Sequence, residues 1–187
     1  MDRMSQGKRG FTLIELAMTL AVLALTVTLV TPSMQQLLHG NRLRTEASRL
    51  LDALGLARSE AVMRSTRVAL CPLAARGAQA GDCSGRFADG WIVFSDVDRD
   101  GRFDPRSDEL IRAFDPIPQG YSLTNLAGSA AVEGLIAYLP DGTSRRNLSL
   151  LLCPPPGQPV PPWSVVLNNA GRARMSRGEG QCPGQSN

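Results

Sequence analysis

Between Phe11 and Thr31 the chain runs for 21 residues with one ionisable side chain, Glu15, and no other stretch limits the fold as strongly. As a helix this run would be about 31 Å long at 1.5 Å per residue, enough to cross a bilayer's hydrocarbon core. Ahead of it Arg3, Lys8 and Arg9 stand against Asp2, a net +2 that predicts a cytoplasmic N-terminus with the remainder on the far side. The run ends Leu29-Val30-Thr31-Pro32, not in a small-residue cleavage site, and a helical pattern continues beyond it, so ordinary signal cleavage is not expected. Glu15 is the anomaly. A carboxylate in a membrane helix costs roughly 2.5 to 3.5 kcal/mol on insertion scales, so such residues usually face a partner.

Lys8-Arg9-Gly10-Phe11-Thr12-Leu13-Ile14-Glu15 resembles the class III signal of type IV pilins and type II secretion pseudopilins. The resemblance implies that a prepilin peptidase cuts after Gly10 and that the new N-terminal residue, Phe11, is N-methylated. The amine so exposed is a natural counter-charge for Glu15 of a neighbouring subunit, which is the family's assembly rule. The expected organisation is a leader peptide over 1–10, a transmembrane and assembly helix over 11–32, and a periplasmic globular domain over 33–187. The resemblance further implies a single-pass inner-membrane precursor that moves into a pilus fibre with other pilin and minor pilin subunits.

The 187 residues, less leader and span, leave enough chain for one modest globular domain. Net charge is +3 and by itself calls for no polyanionic partner, but its distribution is uneven. Asp82 to Asp115 holds nine acidic residues and five arginines, whereas Gly142 to Asn187 holds five arginines and one Glu. The tail is locally basic. All four cysteines, Cys71, Cys83, Cys153 and Cys182, follow the span, and an even count outside the cytoplasm favours disulfides. Three pairings are possible, and sequence proximity favours Cys71 with Cys83 and Cys153 with Cys182. Without a C-x-x-C pair, and with the lone His39 far from the cysteines, no zinc site is expected.

After Pro32, Met34, Leu37, Leu38, Ala47, Leu50, Leu51, Leu54, Ala57 and Ala61 recur at spacings of mostly three and four. This predicts one amphipathic helix running to about Arg64, with Pro32 as a kink inside it. Beyond Thr66, short β-rich runs alternate with Gly, Pro and Asp: Arg67 to Cys71, Gly90 to Ser95, Glu109 to Phe114, Tyr121 to Asn125, Leu135 to Leu139, Asn147 to Cys153, Trp163 to Asn168 and Arg172 to Met175. The reading is α+β, a long N-terminal helix packed on an antiparallel β-sheet domain. The stretch from Cys71-Pro72 through Gly90-Trp91-Ile92-Val93-Phe94-Ser95-Asp96, with Asp98, Asp100-Gly101 and Asp104, is similar to the GspH/FimT branch of the pilin-like proteins. It implies the type IV pilin-like fold.

Asp96, Asp98, Asp100, Gly101 and Asp104 match positions one, three, five, six and nine of a calcium loop, but position twelve is Ser107, not a bidentate Glu. The incomplete ligand set reads as a structural turn, and no metal is assigned. From Cys153 to Pro162 six prolines exclude a central strand and predict a stiff, exposed loop. His39 reads as a surface or packed imidazole.

In Gly171-Arg172-Ala173-Arg174, an extended backbone would put Arg172 and Arg174 on one face, with Arg177 nearby and Arg145 and Arg146 able to join. Guanidinium forks suit phosphate because they donate two hydrogen bonds at once. The motif resembles the GRxR of DNA-binding FimT-type minor pilins, which implies DNA contact through Arg172 and Arg174 during uptake in natural transformation, with Gly171 permitting the turn; Arg177, close by, completes the expected DNA-binding set. The alternative is a type II secretion pseudopilin that exports protein and binds no DNA; a third is a membrane-anchored module that never polymerises. With one His, no Gly-x-Ser-x-Gly and no phosphate loop, neither catalysis nor a cofactor is expected.

Overall fold

A computed structural model describes residues 11–73 and 81–184, with 29–32 as backbone only. Gly10, the expected cleavage position, lies outside the described residues. The chain divides into two compact units, Met1–Leu38 and His39–Asn187.

One helix, α1 (Leu13–Arg64), spans the division. It opens on Thr12, whose hydroxyl accepts the Glu15 N–H at 3.3 Å while its carbonyl accepts the Leu16 N–H at 3.1 Å. The Thr12 hydroxyl therefore caps one of the donors that a helix start leaves open, and its carbonyl takes the first intrahelical bond. In the first unit the apolar side chains from Phe11 to Val27 are exposed, and this part of α1 is long and apolar enough to cross a membrane. The hydroxyls of Thr19, Thr26 and Thr28 each donate to the carbonyl three residues back at 2.8 Å, which leaves little polar surface along the apolar stretch. Met34, Leu37 and Leu38, expected on the packed stripe, are half or more exposed. The packed stripe begins further on, because only the second unit supplies a sheet to pack against.

In the second unit Leu43, Ala47, Leu50, Ala53, Leu54, Ala57 and Ala61 are fully buried. Leu43 and Ala53 extend the stripe read from the sequence, and the alanines let the sheets approach the helix closely. Arg64, the last helical residue, bonds Glu60 and Glu109, each at 2.6 Å. Ser65 then ends the helix at φ 51°.

Eight strands follow: β1 (Val68–Pro72), β2 (Trp91–Ser95), β3 (Glu109–Phe114), β4 (Ser122–Thr124), β5 (Ile136–Tyr138), β6 (Leu148–Cys153), β7 (Trp163–Leu167) and β8 (Ala173–Arg177). Each falls on one of the predicted runs, displaced by no more than a residue or two. They form two four-stranded sheets, ordered β3-β2-β1-β5 and β4-β6-β7-β8, with antiparallel neighbours throughout. The sequence reading did not divide the strands between sheets. β4 pairs with β6 and the next strand, β5, pairs with β1, and such exchanges leave no local signature.

Alternation along the strands builds the core. Val68, Leu70, Trp91, Val93, Ile136 and Tyr138 of the first sheet and Leu150, Leu152, Val165 and Leu167 of the second join the helix stripe in one cluster. The opposite face of the first sheet buries Ala69, Cys71, Ile92 and Phe94 under Cys83 and Phe103. The proline segment between β6 and β7 is less exposed than expected, since Pro154, Val160 and Pro162 are buried. Val160 belongs to the main cluster and sits beside the bare Cα of Gly40.

Candidate functional site

The β7–β8 turn is built by Asn168. Its carbonyl accepts the Gly171 N–H at 2.9 Å, its side-chain oxygen accepts the Arg172 N–H at 2.9 Å, and its own N–H donates to the Arg172 carbonyl at 3.1 Å. Gly171 has φ +73°, and a Cβ there would lie 2.1 Å from the Gly142 carbonyl oxygen. Glycine is thus required twice, for backbone conformation and for close approach. The Ser144 N–H also donates to the Asn169 carbonyl at 3.1 Å, so the β5–β6 turn abuts the β7–β8 turn.

β8 starts at Ala173, which leaves Arg172 in the turn. Ala173 and Met175 pack against the core, and alternation exposes Arg174 between them. Arg172 lines a groove of about 560 Å³ with Asp52 and Arg58 of α1 and with Tyr138. Arg174 lies 3.8 Å from Glu179, both side chains largely exposed, a distance that in water binds weakly. Among the described residues no carboxylate pairs with Arg172 or Arg177. The tail beyond β8 is held by the Gln181 N–H donating to the Leu126 carbonyl at 3.0 Å and by the Cys153–Cys182 disulfide. The second disulfide joins Cys71 to Cys83, so both bonds link cysteines near in sequence.

Arg146, read as able to join the patch, donates to the Leu135 carbonyl at 2.8 Å and the Glu133 carbonyl at 3.4 Å. The guanidinium covers carbonyls at the start of edge strand β5, which tames an exposed edge. Arg145 stays exposed and without an ion pair among the described residues.

The Asp-rich loop is held by its own carboxylates. Asp98, Asp100 and Asp104 each accept the backbone N–H two residues on, at 3.3, 2.7 and 2.9 Å, the Asx-turn pattern. Asp96 accepts the Gly101 N–H at 3.4 Å, is fully buried, and faces the Arg67 guanidinium at 3.1 Å. Burial raises its pKa, opposed by the charge of Arg67. Asp108 bonds the Val97 and Asp104 N–H groups at 3.2 and 3.0 Å. Asp96, Asp98 and Asp108 bring one oxygen each within 4.8 Å, a trio different from the one expected of a calcium loop. His39 is packed, with Nδ1 2.6 Å from the Tyr121 hydroxyl. The sequence reading missed Arg58 and Tyr138, which line the groove with Arg172, and Arg67, which faces Asp96; they come from distant segments and carry no motif.

A long helix with an apolar first part, packed in its second on antiparallel sheets, and a class III signal together define a type IV pilin-like subunit, a minor pilin or pseudopilin. The family model described as Type II transport protein GspH matches residues 46–171, and the prokaryotic N-terminal methylation motif matches residues 5–31. The chain belongs to the GspH family. Among solved structures, the type IV minor pilin FimU of Pseudomonas aeruginosa is 18% identical, with a TM-score of 0.50 over 73% of this chain and 89% of that one. The minor pseudopilin EpsH from the type 2 secretion system of Vibrio cholerae is 15% identical, with a TM-score of 0.50 over 77% of this chain and 99% of that one. A search of curated protein sequences gave no significant match. The methylation motif implies processing by a prepilin peptidase and association with other pilins.

Proposed function

We propose that this minor pilin captures DNA through the β7–β8 hairpin and delivers it for uptake in natural transformation. The carrying observation is that Arg172, in the turn, and Arg177, at the far end of β8, pair with no carboxylate among the described residues, while Arg174 between them is only loosely matched by Glu179 at 3.8 Å. Gly171 holds the turn that carries Arg172. Binding of this kind is phosphate-led, weak, salt-sensitive and nearly indifferent to sequence. Two or three arginines need repetition along a fibre to hold a duplex. Cleavage after Gly10, methylation of Phe11 and pairing of its amine with Glu15 of the next subunit place the protein in that fibre, its globular unit having faced the periplasm beforehand. No catalysis is involved.

The test is fluorescence anisotropy with the full chain in nonionic detergent and a labelled duplex at several salt concentrations. Arg172→Ala with Arg174→Ala is expected to lower the slope of log K against log[salt] by about 1 for each phosphate no longer neutralised. No binding by the unaltered chain at low salt, or an unchanged slope in the double variant, would sink the reading.

The second reading is a type II secretion pseudopilin that exports protein without DNA. The matched family's description and the likeness to EpsH favour it. Under this reading the double-arginine variant retains full secretion, while Glu15→Ala abolishes it.

A further inference from the structure

On the face of the first sheet turned away from α1, a cleft of about 410 Å³ is lined by Arg67, Arg99, Arg145 and Arg146. Its floor is Leu135, Ala137 and Leu139, the residues that alternate with the core-facing Ile136 and Tyr138 of β5. Four cations from three separate segments meet there. Arg67 is spent in part on Asp96 and on the Arg99 carbonyl, to which it donates at 2.8 Å, and Arg146 holds the two β5-edge carbonyls. Arg99 and Arg145 have no guanidinium partner among the described residues.

The neighbouring carboxylates are engaged elsewhere. Asp98 and Asp100 accept backbone N–H groups of their own loop, and Asp141 accepts the Thr143 N–H and hydroxyl at 2.9 and 2.7 Å. None of them lines the cleft. Arg99 is also held at φ 65°, a left-handed conformation that costs a non-glycine residue about 1 to 2 kcal/mol. Of the four guanidinium groups only Arg67 has a carboxylate in contact, Asp96, while the charge of Asp141 reaches Arg145; the surplus of positive charge favours a counter-charge from outside.

We propose that this cleft is a second phosphate-binding site, which takes a phosphodiester of the same nucleic acid that Arg172 and Arg174 hold. The polymer's identity rests on the DNA reading above; the oxyanion chemistry of the cleft does not. The turn that carries Arg145 is hydrogen-bonded to the turn that carries Arg172, through Ser144 and Asn169 at 3.1 Å. The two arginine groups are therefore carried by adjoining turns, close enough for one nucleic acid to touch both. Fork-like guanidiniums with free N–H donors favour a phosphate's several oxygens, and the floor's side chains are apolar.

The experiment titrates inorganic phosphate into the full chain in nonionic detergent and follows the arginine Nε–Hε NMR signals. It is paired with DNA anisotropy on an Arg99→Ala, Arg145→Ala variant, two exposed side chains whose loss leaves the fold intact. Saturable shifts at Arg99 and Arg145 are expected, and they should persist in the Arg172→Ala, Arg174→Ala variant. The salt slope for duplex DNA should fall by about 1 for each phosphate that Arg99 and Arg145 had neutralised. Absence of saturable shifts, or an unchanged slope in a chain that binds DNA, overturns the proposal. Phosphate shifts without any DNA binding would support the oxyanion site while removing the nucleic-acid reading. Displacement of phosphate by polyglutamate but not by DNA would make the ligand an acidic protein and overturn the phosphodiester assignment.

Discussion

A β-carbon on Gly171 would lie 2.1 Å from the carbonyl oxygen of Gly142, so the turn that carries Arg172 and the turn before β6 can meet only as two bare backbones. Gly171→Ala must shift one turn away from the other and hold a left-handed φ with a side chain. The expected loss is about 1 to 3 kcal/mol in urea unfolding of the full chain, with weakened DNA binding although no arginine has changed. An alanine variant as stable as the parent would show that the two turns are not pressed together.

Tyr138 lies under the same contact, fully buried, with a hydroxyl that finds no partner among the described residues and a pKa that burial pushes up to about 12. An unpaired buried hydroxyl is a liability, so Tyr138→Phe is expected to be neutral or to stabilise by up to about 1 kcal/mol. Thermal unfolding checks this. A clear loss of stability would mean that a water or a neighbouring side chain satisfies the hydroxyl.

Asp96 predicts a pH dependence. Its folded-state pKa is raised above the ordinary 3.8, so the folded chain holds this proton more tightly than the unfolded one. The associated stability is complete below pH 3.8 and is lost as pH rises through the higher folded value. Asp96→Asn removes that decline, and urea midpoints across the acid range should show the parent falling relative to the variant as pH rises. Since Asp96 is engaged by Arg67 and the loop's other carboxylates hold backbone N–H groups, added calcium is expected to leave tryptophan emission unchanged.

The disulfides differ in reach. Cys153 and Cys182 are 29 residues apart, Cys71 and Cys83 only 12, so chain entropy assigns the longer link about 3 to 4 kcal/mol and the shorter about 3. Cys153→Ser with Cys182→Ser should therefore cost at least as much stability as the other pair of substitutions. It should also expose Arg177 and the segment after it to proteolysis, because that link ties the tail to β6. Limited digestion with mass spectrometry reads the second effect.

The apolar span, the helix end at Arg64, all eight strand positions and the near-neighbour disulfides were legible in the residues themselves. Each is written in local periodicity, turn chemistry or sequence proximity. The class III signal was equally plain, since a contiguous stretch carries it. The arginine motif was legible as chemistry but not as a surface. Arg172 lies in the turn and not in β8, and Arg146 is drawn to the β5 edge. Only the tertiary structure decided that the strands divide into two sheets, that Gly171 rests on Gly142, and that Arg67 answers Asp96 across an interval of 29 residues while drawing Arg99 to one cleft. These are pairings between segments far apart in the chain. They depend on strand register and on which face each loop covers, and no local pattern of hydrophobicity or charge specifies either.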